Sequence, residues 1–264
     1  MARLMVIGGG RMGSSLLGGL LRGGWAAPEE CVIVERQADA RERLEGRFPG
    51  VPVLGEPVEA DALVLAVKPY DAEAACRALP TGAYARVLSI AAGVTIAHLE
   101  SWLWPGATVM RAMPNTPALV GASASAVCGG SAASEADLVW AESVLSSIGV
   151  VVRLPERLLD AVTGLSGSGP AYVFLVAEAL VEAGVLEGLD REVSKVLAFQ
   201  TLLGAARMLV ETGEPPESLR AAVTSPGGTT AAALRVLENR GVRAAFLDAV
   251  SASAARSRAI AASG

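Results

Sequence analysis

The sequence predicts an α/β fold, a doubly wound sheet followed by an all-helical C-terminal domain, and three observations carry that prediction. Short runs that are apolar on both faces alternate with helical periodicity through the first 155 residues. A glycine-rich turn, Gly8-Gly9-Gly10-Arg11-Met12-Gly13, joins the first apolar run to the first helical pattern. After Leu154-Pro155 the β-branched runs vanish, so the domains are read as residues 1–155 and 156–264.

Residues 4–7 form the first strand, and Leu16, Leu17, Leu20 and Leu21 mark a helix behind the glycine turn. Gly8, Gly10 and Gly13 fit G-x-G-x-x-G, which supplies a tight turn, close backbone approach to a pyrophosphate and close helix-to-strand packing. Alone that match is weak. It gains weight from a second strand at 31–35 ending in Glu35, where the adenosine ribose of a dinucleotide would lie. Runs at 62–67, 87–92 and 108–113 read as further parallel strands, with helices near 70–79 and 95–103 between them. A strand at 124–128, a helix at 134–148 and a strand at 150–152 complete the sheet. Ligands of such sheets bind beyond the carboxyl ends of the strands, which makes Lys68 and Asn115 site candidates. A solvated loop lysine and a turn asparagine are equally good readings of those two residues.

Helical patterns occupy 158–165, 171–183, 191–211, 231–239 and 244–262, with more apolar face than so small a domain can bury alone. Subunit association is the expected remedy. The small residues from Gly164 to Pro170 would admit another backbone or a cofactor ring, or serve simple helix packing. Between two helical patterns lies Val223-Thr224-Ser225-Pro226-Gly227-Gly228-Thr229-Thr230. Pro226 cannot continue the preceding helix, the glycines allow close backbone approach, and a new helix starts behind them. Its free N–H groups and the hydroxyls of Ser225, Thr229 and Thr230 suit a small carboxylate or phosphate, although the same residues also make an ordinary helix cap.

Composition narrows the chemistry. With 52% hydrophobic and 19% charged residues the chain is well cored, and a net charge of -5 without any basic run argues against nucleic acid. No span of about 18 uninterrupted apolar residues argues for a membrane, and the first apolar run is too short for a signal core, so a cytoplasmic protein is expected. Cys31, Cys76 and Cys128 have neither zinc-site nor disulfide spacing. A single histidine, His98, rules out a multi-histidine metal site, and no metal is expected. Thr95 caps the helical pattern that carries His98, which favours a packed or surface helical role over catalysis.

Three motifs taken together, Met113-Pro114-Asn115-Thr116-Pro117, Ser166-Gly167-Ser168-Gly169-Pro170-Ala171-Tyr172 and Thr224-Ser225-Pro226-Gly227-Gly228-Thr229-Thr230, resemble those of pyrroline-5-carboxylate reductases. The likeness extends to Ala66-Val67-Lys68-Pro69 and Ser89-Ile90-Ala91-Ala92-Gly93-Val94-Thr95 and runs the length of the chain. It implies a Rossmann domain, reduction of 1-pyrroline-5-carboxylate to L-proline with NADPH or NADH, and a helical domain that interlocks in a homodimer or a larger assembly, up to a decamer. Carried over by motif, Ile7, Gly8, Gly9, Gly10, Arg11, Met12, Ala66, Val67, Lys68 and Pro69 contact the cofactor, with Ala91 and Ala92 at its nicotinamide end and Asn115 nearby. Ser225, Gly228, Thr229 and Thr230 hold the substrate, with Ser225 and Thr230 closest to the chemistry. Two departures stand out: Arg11 replaces a small or amide residue, and Glu35 replaces a frequent Ser or Thr. Glu35 favours NADH and the adjacent Arg36 favours NADPH, which leaves a slight lean to NADPH.

Two rivals are weighed. A β-hydroxyacid dehydrogenase would match Gly164, Gly167 and Gly169 but needs a lysine where Val173 stands. A regulatory protein that binds dinucleotide without turnover is the other.

Overall fold

A computed structural model describes the backbone of residues 1–263 and the side chains of residues 1–261. The chain forms two compact units, Met1–Ser168 with the segment from Val250 onward, and Gly169–Ala249.

The first unit is built on an eight-stranded sheet. Its elements run β1 (Ala2–Ile7), α1 (Arg11–Arg22), β2 (Cys31–Val34), α2 (Ala38–Arg47), β3 (Val53–Leu54), β4 (Ala60–Leu65), α3 (Pro69–Arg77), β5 (Arg86–Ser89), α4 (Ile96–Trp102), β6 (Val109–Met113), β7 (Ser123–Gly129), α5 (Glu135–Leu145), β8 (Gly149–Arg153) and α6 (Leu159–Val162). The strand order is β3-β2-β1-β4-β5-β6-β7-β8. β1 to β6 are parallel, and the order reverses on either side of β1, the switch point where doubly wound sheets bind nucleotides.

Side-chain alternation divides the core between the two faces. Leu4 and Val6 pack with Leu16, Leu17 and Leu20 of α1, whereas Met5 and Ile7 pack with Ala72 and Cys76 of α3 and Leu99 of α4. Each fully buried leucine contributes about 1.5–3 kcal/mol. β7 runs antiparallel to β6 because Pro114 to Ala122 holds only a short 3-10 turn, Thr116–Val120, and a parallel return needs about a dozen residues or more. α5 supplies such a crossover, so β8 pairs with β7 in parallel.

The compact sheet-bearing unit runs on past the change in sequence character at Pro155 to Ser168. Leu159 is buried with Ile96, Ala126 and Cys128, and the buried Arg111 of β6 pairs with Glu156 at 2.8 Å. A π-helical turn, Thr163–Gly167, follows α6. A Cβ at Gly164 would strike the Val250 carbonyl and one at Gly167 the Met113 side chain, so these glycines serve packing. Ser257 Oγ donates to Asp160 Oδ1 at 2.6 Å, which ties the end of the last helix to the same unit.

The second unit is helical: α7 (Gly169–Leu186), α8 (Arg191–Thr212), α9 (Pro216–Ala222), α10 (Thr229–Asn239) and the start of α11 (Val242–Ser263). Gly188, at φ 94°, makes the turn from α7 to α8, and Asp190 caps α8 by accepting from the amides of Glu192 and Val193. An 18-residue window within Glu156–Leu186 reaches a mean hydropathy of 1.5 and one within Arg191–Thr212 reaches 1.3, which makes two helices long and apolar enough to cross a membrane. The uninterrupted-run criterion misses them because Glu178, Glu182 and Lys195 break the runs. Large apolar side chains on α7 and α8 stand exposed, among them Phe174, Leu175, Val196 and Phe199.

Candidate active site

Pairing places the carboxyl ends of three strands level. Ile7 is in register with Val34 on one side and with Leu65 on the other, so Gly8, Glu35 and Ala66 emerge in one row. Gly8 N donates to Val34 O at 2.9 Å and Ala66 N to Ile7 O at 2.8 Å, which continues the ladder into the loops. Above this row lies a cleft of about 800 Å³. Thirteen of the fifteen residues expected at the cofactor line it: Ile7, Gly8, Gly9, Gly10, Arg11, Met12, Glu35, Arg36, Ala66, Val67, Lys68, Pro69 and Ala92.

The glycine turn fits a pyrophosphate for steric reasons visible in the chain. Gly8 has φ 103°, and a Cβ there would collide with the Ala66 carbonyl. A Cβ at Gly13 would collide with the Gly8 carbonyl, which lets α1 start hard against the strand. Gly10 caps α1 with no side-chain hydrogen bond and nothing near its Cβ position, so the first amides of the helix face open space. That is the arrangement a dinucleotide phosphate requires.

Beside the glycine turn Glu35 points inward, not outward to an arginine. Its Oε2 accepts from Gly9 N at 3.1 Å and its Oε1 from Gln37 N at 3.0 Å. Arg36 reaches across to Asp71 at 2.6 Å, and Arg41 Nη1 donates to the carbonyls of Glu35 and Arg36. Asp71 and Tyr70 line the cleft and were absent from the sequence reading. The signal for them was there, since both sit in the first turn of α3 directly behind Lys68-Pro69.

Two expected residues face elsewhere. Ala91 is buried, its N–H donating to Ser89 Oγ at 3.3 Å, and Ile90 takes the place on the cleft wall because successive side chains alternate in extended chain. The Asn115 side chain is spent on structure. It donates to the Ser166 carbonyl at 2.9 Å and accepts from Ala124 N at 3.0 Å and Ser123 Oγ at 3.1 Å, tying the 3-10 turn to β7 and the π-helical turn.

In the helical unit, Ser225-Pro226-Gly227-Gly228 is a tight turn closed by Gly228 N donating to Ser225 O at 3.1 Å. Proline followed by glycine at φ 71° is the pattern of a type II turn. α10 begins at Thr229, two residues earlier than the sequence pattern places it, and its N-cap Gly228 makes no side-chain cap. Among the described residues the hydroxyls of Ser225, Thr229 and Thr230 have no hydrogen-bond partner, so the N-terminus of α10 and three hydroxyls remain available to an anion. His98 is accounted for as structure: its amide donates to Thr95 Oγ1 and its ring stacks on Trp102.

Comparison with known proteins agrees with both halves of this description. Residues 156–260 match the family described as pyrroline-5-carboxylate reductase dimerisation, and residues 3–93 match NADP oxidoreductase coenzyme F420-dependent. The chain is 42% identical to a pyrroline-5-carboxylate reductase of Synechocystis over 97% of both chains. It is 43% identical to one of Mycobacterium tuberculosis, covering 97% of this chain and 96% of the relative. Among solved structures, a pyrroline-5-carboxylate reductase from Coxiella burnetii superposes with a TM-score of 0.90 at 36% identity over 98% of each chain. A Plasmodium falciparum pyrroline carboxylate reductase with NADP bound gives 0.85 at 29% identity, again over 98% of each chain. The chain thus belongs to the pyrroline-5-carboxylate reductase family.

Proposed function

We propose that this chain carries out its family's reaction, reduction of 1-pyrroline-5-carboxylate to L-proline, with residues 1–155 binding NADPH or NADH and residues 156–264 binding substrate and a second subunit. The observation that carries this reading is identity of about 42% across nearly the full length to proteins of that name. Support for the cofactor comes from the level strand ends, the glycine turn and the uncapped start of α1. Gly8 to Met12 contact the pyrophosphate, the glycines by letting it approach the backbone and Arg11 and Met12 through the open N–H groups at the start of α1, and Ala66 to Pro69 with Ala92 line the wall toward the nicotinamide.

The reduced nicotinamide supplies the hydride. The protein's share is binding and orientation, because a cyclic imine is basic enough to be protonated near neutrality and needs no strong side-chain acid. Ser225 Oγ and the amides of Gly228 and Thr229 hold the substrate carboxylate at the start of α10. Thr230 Oγ1 bonds the ring nitrogen as its charge is lost. Both cofactors serve, with a lean to NADPH.

The exposed apolar side chains of α7 and α8 are covered by a second copy of the chain, in a homodimer or in a larger ring such as a decamer. Three buried, unpaired cysteines accord with a reducing cytoplasm. The test is a kinetic one: addition of pyrroline-5-carboxylate to enzyme and NADPH or NADH consumes the reduced cofactor and yields proline in equal amount. Nucleotide binding without turnover supports a sensor instead.

A further inference from the structure

We propose that Asp71 sets the cofactor preference by competing with the 2′-phosphate of NADPH for the Arg36 guanidinium; the assignment rests on the cofactor reading above. Arg36 is held at both ends. Its carbonyl accepts from Arg41 Nη1 at 2.8 Å, which fixes the backbone the side chain leaves from, and its Nη2 donates to Asp71 Oδ1 at 2.6 Å. Asp71 sits in the first turn of α3 with its own amide bonded to Lys68 O at 2.9 Å. Since β1 lies between β2 and β4 in the sheet, the ion pair joins the segment after β2 to the helix after β4 and flanks the glycine turn between them. Both partners line the cleft.

The two partners differ in freedom. The Arg36 side chain is 72% exposed and that of Asp71 is 29% exposed, so the arginine is the member able to swing away. Arg43, another guanidinium on the cleft wall, lies farther along the chain within α2, paired with Asp39 at 3.0 Å. Arg36 directly follows Glu35 at the end of β2, where a dinucleotide's adenosine ribose lies, and its position makes it the cation placed for a ribose 2′-phosphate. A phosphate carrying nearly two negative charges can displace a carboxylate from a guanidinium, and it must do so here. NADH has no such group and leaves the pair intact. The cost of breaking the Arg36–Asp71 bond thus falls on NADPH alone.

The test is calorimetric titration of NADPH and of NADH into the full-length protein and its Asp71→Asn, Asp71→Glu and Arg36→Ala variants. An exposed ion pair predicts that Asp71→Asn tightens NADPH binding by about two- to fivefold and leaves NADH within about 1.5-fold. Asp71→Glu restores the original ratio, and Asp71→Asn added to Arg36→Ala changes nothing. The assignment is overturned if Asp71→Asn shifts both cofactors equally or neither. It is also overturned if the ratio shifts as much without Arg36, since the carboxylate then acts on the phosphate directly. Failure of the unsubstituted protein to bind either nucleotide overturns the cofactor reading itself.

Discussion

In the function proposed above Thr230 bonds the ring nitrogen, and its hydroxyl is left without a partner among the described residues at the start of α10. Thr230→Ala and Thr230→Val are expected to lower turnover by about 10- to 100-fold, the value of a hydrogen bond made mainly in the transition state, with nucleotide affinity unchanged. Unaltered kinetics in both variants remove Thr230 from the site. Glu35 spends its two oxygens on the amides of Gly9 and Gln37, which holds a negative charge beside the expected ribose. Glu35→Ser is expected to raise the NADPH/NADH ratio of specificity constants and Arg36→Ala to lower it; a ratio that moves less than about twofold in both shows that adenosine is read elsewhere. Residue types and their positions at strand ends were legible in the sequence. Bonding was not: nothing in Met113-Pro114-Asn115 tells that the asparagine side chain is consumed by Ser123, Ala124 and Ser166, or that Arg36 finds Asp71 across the cleft.

At the scale of elements, the glycine turn and α1 form one rigid piece because Gly13 lets the helix abut the Gly8 carbonyl. Gly13→Ala is expected to cost about 1–3 kcal/mol as overpacking and to weaken binding of both cofactors together. Wild-type melting temperature and nucleotide affinity in that variant contradict the packing described. The long apolar strands and the longer helices were legible because their periodicity is set by burial on two faces. α2, β3 and α9 were not. α2 is mostly charged with only Leu44 buried, β3 is two residues long, and α9 buries no residue, so none leaves a periodic apolar trace. The direction of β7 follows from the length of its connection, a signal present in the sequence but carried by loop geometry instead of hydrophobicity. Small residues around the π-helical turn were visible, while their role in admitting α11 depends on segments far apart in the chain.

For the whole molecule, the exposed apolar faces of α7 and α8 predict that the protein sediments as a dimer or larger at assay concentration; a fully active monomer contradicts this. Burial pushes the thiols of Cys31, Cys76 and Cys128 up from about 9 to about 11. Native protein is therefore expected to resist thiol reagents near neutral pH, and denatured protein to react at three sites. Because these folded values lie above the unfolded ones, the thiols' contribution to stability is full below pH 9 and is lost as pH rises toward 11. A chemical or thermal denaturation series across that range reads the slope, and stability that increases with pH there contradicts it. The central claim, direct hydride transfer from the nicotinamide to the carbon of the cyclic imine, is tested most directly by isotope. Enzyme supplied with pyrroline-5-carboxylate and NADPH deuterated on the transferred face of nicotinamide carbon 4 is predicted to give proline with one deuterium, on the ring carbon formerly double-bonded to nitrogen. Proline without that label, or no proline while nucleotide still binds, contradicts the account.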